Sequence, residues 1–113
     1  MIMALKLYIA VLDEMPDFMV PTLVAHAVLA AHLQFVQDAD AESYKNWLEH
    51  SFRKVVVKVN QKEFDKIAQL KCYLGHESTV LDAKKSCAVV FPISQDTIPN
   101  VLKFAKMWKP MLN

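Results

Sequence analysis

Residues Arg53–Val59 read RKVVVKV, the clearest β-strand pattern in the chain. The run of valines favours an extended backbone, because β-branched side chains pack well on a pleated surface. Residues Leu5–Leu12, LKLYIAVL, form a second strand pattern. Their almost continuous apolar run is typical of a central strand that is covered on both faces. The two stretches therefore predict a sheet with helices packed on both of its sides.

Helical patterns surround these strands, and Pro21 suits the first turn of a helix predicted over residues 21–36. The chain also contains patterns for helices at 41–50, 61–72 and 95–108 and for strands at 78–81 and 87–91. Gly75 is interpreted as a helix stop signal. The order β-α-α-β-α-β-β-α predicts one α/β domain over residues 1–113. We expect a three-layer α-β-α sandwich around a four-stranded, mostly parallel (mixed) sheet.

Composition excludes several functional classes. The chain of 113 residues has one glycine, so it cannot form the glycine-rich loop of a P-loop or a Rossmann dinucleotide site. Its formal charge of +1 indicates no global attraction to nucleic acid. Two cysteines without close spacing predict reduced thiols. With no secretory signal pattern, and an apolar run at 20–36 that polar residues interrupt, we expect a cytoplasmic protein outside the membrane.

Five stretches, in this order, resemble the archaeal and eukaryotic type of peptidyl-tRNA hydrolase. They are KLYIAV at 6–11, AHAVLAAHL at 25–33, KVVVKV at 54–59, LDA at 81–83 and VVFP at 89–92. The resemblance covers nearly the whole chain. It implies cleavage of the ester between a peptide and the terminal ribose of tRNA, with no metal or cofactor.

The chain departs from the family at the positions that carry its chemistry. The family's lysine and glutamine before the His-Ala dipeptide correspond here to Met19 and Leu23. Removing one oxyanion donor typically lowers an enzyme's rate about 100- to 1000-fold. Two hypotheses stay open: a peptidyl-tRNA hydrolase-like protein that acts on or binds aminoacyl- or peptidyl-tRNA ends, and a non-catalytic module that contacts a tRNA-processing enzyme or another protein.

The resemblance implies that Asp82 and Ser86 are catalytic candidates. Asp82 matches the family's aspartate, whose carboxylate can hold the attacking water, and Ser86 can supply a hydroxyl where the family has threonine. His26 is a third candidate, because it lies one helical turn after Thr22. The alternative interpretations are a turn-closing aspartate and a histidine that is hydrogen-bonded in the core.

Lysines supply the candidate tRNA contacts, and Lys54, Lys58, Lys84 and Lys85 are predicted to bind phosphate groups. A solvated lysine face is the alternative interpretation. The predicted last helix carries a second lysine stripe, formed by Lys103, Lys106 and Lys109. We interpret this stripe as a solvated face whose positive charge complements the helix dipole at the C-terminus.

Two further expectations concern metals and assembly. Cys72, His76 and Cys87 lack the close cysteine pair of a structural zinc site, so no metal is expected. The helix at 21–36 is apolar on more than one side, and relatives of this fold pair up. A homodimer is therefore predicted.

Overall fold

The computed structural model describes residues 5–77 and 84–111. The chain is mixed α/β, as the sequence predicts. In chain order its elements are β1 (Leu5–Leu12), a 3-10 turn (Asp17–Met19), α1 (Val20–Phe35), α2 (Ala41–Asn46), a π turn (Trp47–Ser51), β2 (Arg53–Val59), α3 (Gln61–Ile67), β3 (Cys72–Glu77), β4 (Lys84–Ser94), α4 (Asn100–Lys103) and β5 (Lys106–Met107). The bounds of β1 and β2 coincide with the two predicted strands.

The described residues form a five-stranded mixed sheet in the order β3-β4-β1-β2-β5. Within it β1 and β2 are parallel, whereas β1–β4, β3–β4 and β2–β5 are antiparallel. This corrects the predicted four-stranded, mostly parallel sheet. A parallel neighbour needs a long crossover connection, and α1 and α2 provide one between β1 and β2.

Alternate residues of β1 face two separate hydrophobic clusters. Leu7, Ile9 and Val11 pack with α1, α2 and the π turn, on what we name the α1 face. Tyr8, Ala10 and Leu12 pack with α3 and α4, on the α3 face. The period of two along a strand produces this division. It explains why β1 is apolar almost throughout.

The helix predicted over 61–72 is wrong in its second half. It begins as predicted at Gln61, after Asn60, whose side chain accepts a hydrogen bond from the backbone N–H of Glu63 in a capping box. It ends at Ile67, and β3 starts at Cys72. Gly75 therefore lies inside a strand rather than at a helix stop. A Cβ atom added there would lie 3.2 Å from the Cβ atom of Ala27, so Gly75 permits α1 to approach β3 closely.

The predicted last helix, 95–108, is mostly absent. Residues 95–99 form a turn, α4 has four residues, and the chain then adds β5 to the edge of β2. The backbone N–H of Trp108 continues this pairing with a hydrogen bond of 2.8 Å to the Val56 carbonyl. Pro99 explains the late start, because it lacks an N–H donor and is strongly disfavoured inside a helix.

The two remaining strand predictions have different outcomes. The strand predicted at 87–91 is part of the longer β4, and the one predicted at 78–81 lies outside the described residues. Asp17–Phe35 is, by length and composition alone, apolar enough to cross a membrane. Core helices of soluble proteins meet the same criterion, and α1 packs on β1, β3 and β4. The described structure is thus compatible with a soluble protein.

Candidate functional site

The carboxyl ends of β1 and β2 meet at one edge of the sheet, because the two strands are parallel. The backbone N–H of Asp13, just after β1, donates a 2.8 Å hydrogen bond to the Val59 carbonyl at the end of β2. β4 is antiparallel to β1 and begins at this edge with Lys84. The strand order also reverses at β1, with β2 on one side and β4 on the other. Open α/β sheets bind ligands at such a point, which makes this edge the candidate site.

An ion pair spans the gap between β1 and β4 at the candidate site. Lys84 Nζ lies 2.7 Å from Glu14 Oε1, and both side chains are substantially exposed. Exposed pairs of this kind contribute about 0 to 1 kcal/mol, so the contact is easily exchanged for another anion. Lys85, the next residue, is exposed. The structure therefore brings two of the four predicted lysines to this edge.

Ser86 is completely buried immediately after these lysines, and its Oγ has no hydrogen-bond partner among the described residues. It lies at a β-bulge. Cys87 pairs with Gly75 and Lys85 pairs with His76, so Ser86 is the extra residue of β4. Bulges are frequent next to active sites, and a buried hydroxyl without a partner is costly.

Next to Ser86, the described residues include neither of the other two predicted catalytic residues, Asp82 and His26. Asp82 lies outside the described residues; Glu77 and Lys84, which flank residues 78–83, pair with each other at the candidate edge. His26 is on α1 and is exposed, whereas Ala27 beside it packs against the sheet. His26 thus belongs to the side of α1 that faces away from β4.

The two residues that the resemblance aligns with the family's lysine and glutamine are Met19 and Leu23. Leu23 is buried in the α1-face cluster, and Met19 packs against the same cluster. Neither side chain has a group that can donate a hydrogen bond. Both positions therefore serve hydrophobic packing.

Lys54 and Lys58 lie on β2, which β1 separates from β4 with its Lys84 and Lys85. Each of the two β2 lysines is two residues from Val56, which packs on the α1 face, so both belong to that face. Four residues of strand separate them by roughly 13 Å. Lys58 is near the carboxyl end of β2 and hence at the candidate edge, whereas Lys54 is at the other end of the strand. The four predicted lysines therefore do not form one continuous patch.

An open cleft of about 330 Å³ lies beside the end of β2, and its lining includes Lys58, Asn60, Glu63, Phe104 and Lys106. Phe104 is 73% exposed. Phe104 is not among the candidates that the sequence indicates, and Lys106 lies on a strand instead of the predicted helix, because the pairing of β5 with β2 is a long-range contact. Pro99, which lies inside the predicted helix, was the local signal against a helix over this whole range.

The two cysteines cannot share a metal ion, since Cys87 is buried on the α1 face and Cys72 packs on the α3 face. Burial raises the pKa of the Cys72 thiol and raises that of Cys87 to about 12. Both thiols are therefore protonated at neutral pH. Within residues 5–77 and 84–111, no group of three or more His, Cys, Asp or Glu side chains is arranged to hold a metal.

Comparison with known proteins adds no assignment, because no protein-family model and no curated protein matches this sequence.

Proposed function

We propose that the protein is a divergent peptidyl-tRNA hydrolase-like domain that binds the aminoacyl or peptidyl end of tRNA at the edge of the sheet where β1 and β2 end and β4 begins. Helices on both sides of the sheet would then form the three-layer α-β-α sandwich of that family. The observation that carries the proposal is Ser86, a buried hydroxyl without a partner at a bulge, directly after Lys84 and Lys85. A site that binds an ester has a use for both a hydroxyl and nearby cations.

In the proposed chemistry, the Asp82 carboxylate holds a water molecule that attacks the ester carbonyl carbon. The oxyanion that forms is stabilised by Lys84 or Lys85, with the Ser86 hydroxyl as a further donor. The attacking water gives a proton to Asp82. The bond between the carbonyl carbon and the ribose oxygen then breaks, and the ribose oxygen takes up that proton. His26 is left as a separate candidate, tested by His26→Ala.

Hydrolysis of an N-blocked aminoacyl-tRNA by the purified protein tests this reaction. We expect turnover that Asp82→Asn and the double variant Lys84→Ala/Lys85→Ala abolish, while Lys62→Ala/Lys66→Ala on α3 keeps it. Lys62 and Lys66 are exposed, and replacing both removes the same charge as replacing Lys84 and Lys85. Turnover that persists in Asp82→Asn would overturn the assigned role of the carboxylate.

The packing of Leu23 favours a second candidate function, a non-catalytic binding module on the same fold. In that case the folded protein binds tRNA, a tRNA-processing enzyme or another protein without cleaving the ester. Absence of turnover together with retained tRNA binding would select the module that binds tRNA. Absence of both would move the proposal to a protein partner.

We also propose that the protein acts in the cytoplasm as a homodimer. The apolar, exposed part of α1 supports the dimer, since Leu29 is 70% and Leu33 is 66% exposed. Sedimentation tests the assembly, and fractionation of cells that express the tagged protein tests the location.

A further inference from the structure

The α1 face of β2 carries a second surface, which we name the basic strip: Phe52, Lys54, Lys58, Lys106 and Trp108. Lys58 and Lys106 are direct partners across β2 and β5, so their side chains point to the same face. Lys58 Nζ lies 5.9 Å from the centre of the Trp108 ring. At the other end of β2, Lys54 Nζ lies 3.3 Å from the centre of the Phe52 ring. Cations and aromatic rings therefore alternate along the strand.

The basic strip is accessible because α1 packs on β1, β3 and β4 rather than over β2. Lys54 and Lys106 are exposed, and Lys58 and Trp108 are half-buried. Trp108 also packs against the α1-face cluster, which fixes its ring at the border of the surface. The result is an extended, shallow surface rather than an enclosed pocket.

The lysines of the strip form no ion pair with the described residues. The ion pairs found in residues 5–77 and 84–111 involve Lys71 and Lys84. Lys54 and Lys58 donate hydrogen bonds to backbone carbonyls instead, those of Phe52 and Lys109.

Two carboxylates lie near one end of the strip. Asp13 and Glu63 line the same cleft as Lys58 and Lys106 and lower the positive potential there. A polyanion would therefore meet these lysines without first breaking an ion pair.

Phe52 adds an independent observation. Its backbone is left-handed, with φ 54° and ψ 16°, and no other non-glycine residue of the described chain has a positive φ. This conformation costs a side chain such as Phe roughly 1 to 2 kcal/mol. The ring remains 54% exposed, with its centre 5.4 Å from that of the Trp47 ring and the two planes inclined at 37°. Phe52 ends the π turn, where its backbone N–H donates a hydrogen bond to the Trp47 carbonyl. The backbone therefore holds the exposed ring beside the lysines of the strip.

We infer that the basic strip binds single-stranded nucleic acid. The lysines would contact successive phosphates, and the rings of Phe52 and Trp108 would stack on bases. The positive charge of the strip favours a nucleic acid over a protein segment that is apolar or poor in acidic residues. The exposed rings favour unpaired bases over a duplex. The inference goes beyond the proposed ester site, because it requires neither hydrolysis nor residues 78–86.

Fluorescence anisotropy with a labelled 12-nucleotide oligoadenylate tests the inference, at salt concentrations from 50 to 200 mM. We expect binding whose logarithm falls with the logarithm of salt concentration with a slope of about −2, since three lysines release about 0.7 counterions each on a single strand. Lys58→Ala/Lys106→Ala should weaken binding and reduce the slope by about 1.4. Lys62→Ala/Lys66→Ala removes the same charge from α3 and should change little.

The aromatic contribution is measured with Phe52→Asn, because asparagine tolerates the left-handed backbone. We expect affinity to fall about 5- to 150-fold with the salt slope unchanged. Trp108→Leu is a second variant with the same expectation, and thermal unfolding checks that both proteins are folded.

Four results would overturn the inference: no binding at 50 mM salt, equal affinity for a duplex, an equal loss of affinity in Lys62→Ala/Lys66→Ala, or preferential binding of the same lysines to vesicles that contain an anionic lipid. The oligonucleotide carries no ester, and Lys84→Ala/Lys85→Ala is expected to bind it normally. Failure of this inference is therefore distinguishable from failure of the proposed hydrolase.

Discussion

At the scale of single residues, Ser86 combines two properties that normally exclude each other. It is completely buried, and its hydroxyl has no partner in the described residues. Leaving a polar group in this state costs about 1 to 3 kcal/mol. A residue kept only for packing would avoid that cost as alanine, so Ser86 is best explained by a task at the bulge.

Ser86→Ala is accordingly expected to raise the free energy of unfolding by about 1 to 2 kcal/mol, while it weakens binding or turnover at the site. Urea denaturation followed by circular dichroism measures the first effect. Ser51→Ala is the matched control, because the Ser51 hydroxyl donates a hydrogen bond to the Leu5 carbonyl. That variant should lose about 1 kcal/mol. A comparable loss in Ser86→Ala would show that Ser86 Oγ has a partner.

Cys87 makes the fold sensitive to alkaline conditions. Burial raises its pKa from 9.0 to about 12, so above pH 9 the unfolded chain ionises while the folded chain keeps the proton. The free energy of unfolding should then fall as pH rises from about 9 to 12, by up to about 1.4 kcal/mol per pH unit.

Cys87→Ala removes that contribution, which urea denaturation at pH 7.5 and pH 10.5 will measure. Burial also raises the pKa of Tyr44 and Cys72, so a smaller alkaline loss should persist in the variant. Cys72→Ala is the control, with a weaker effect expected because Cys72 is only half-buried. An unchanged pH dependence in Cys87→Ala would contradict the assignment.

At the scale of elements, the sequence predicted what local pattern and burial determine. β1, β2 and nearly all of α1 were found within one residue of their predicted ends, because each is an apolar or β-branched run bounded by polar or turn-forming residues. β3 and β5 were missed. The segment after Ile67 is apolar enough to extend a helix, and its pairing with β4 decides otherwise. β5 exists because the edge of β2 offers hydrogen-bond partners, which a local pattern does not reveal.

α1 also decides whether position 23 can carry the amide that the resemblance to peptidyl-tRNA hydrolases would place there. Leu23→Gln introduces the amide found in the family, but the side chain is 6% exposed and sits in the α1-face cluster. We expect the free energy of unfolding to fall by about 2 to 3 kcal/mol and no activity to appear. Ala25→Gln, on the exposed side of the same helix, should change stability by less than about 0.5 kcal/mol.

Chemical denaturation of the two variants side by side measures the difference. A Leu23→Gln protein as stable as the wild type would mean that the amide finds a hydrogen-bond partner or reaches solvent. In that case the position would be able to serve the site, and the argument for a non-catalytic module would lose its structural support.

At the scale of the whole molecule, functional groups lie on three separate surfaces. Lys84 and Lys85 lie at the edge of the sheet where β1 and β2 end and β4 begins. The basic strip lies on β2 and β5, and an apolar stripe runs along α1. Sequence spacing pointed to the lysines of β2 and β4 but not to their distances from one another, because strand order is a long-range property. It also could not place Trp108 beside Lys58.

The apolar stripe of α1 consists of Phe18, Leu29 and Leu33, exposed by 80%, 70% and 66%. Met111, 77% exposed, extends it, because its backbone N–H is hydrogen-bonded to Asp17. From Phe18 to Leu33 the stripe is roughly 22 Å long. α1 has no Asp, Glu, Lys or Arg, so two copies can pack antiparallel about a two-fold axis without bringing such charges together. We therefore propose a second copy of this chain as the occupant of the stripe.

Sedimentation velocity at micromolar concentration should give a dimer for the wild type and a monomer for Leu29→Glu/Leu33→Glu, because a buried unpaired carboxylate is strongly unfavourable. Phe104→Glu changes an equally exposed ring outside the stripe and should remain dimeric. A monomeric wild type contradicts the dimer. Flotation with neutral lipid vesicles then separates the remaining possibility: association that the double glutamate variant loses would assign the stripe to a lipid surface, as the apolar length of Asp17–Phe35 permits.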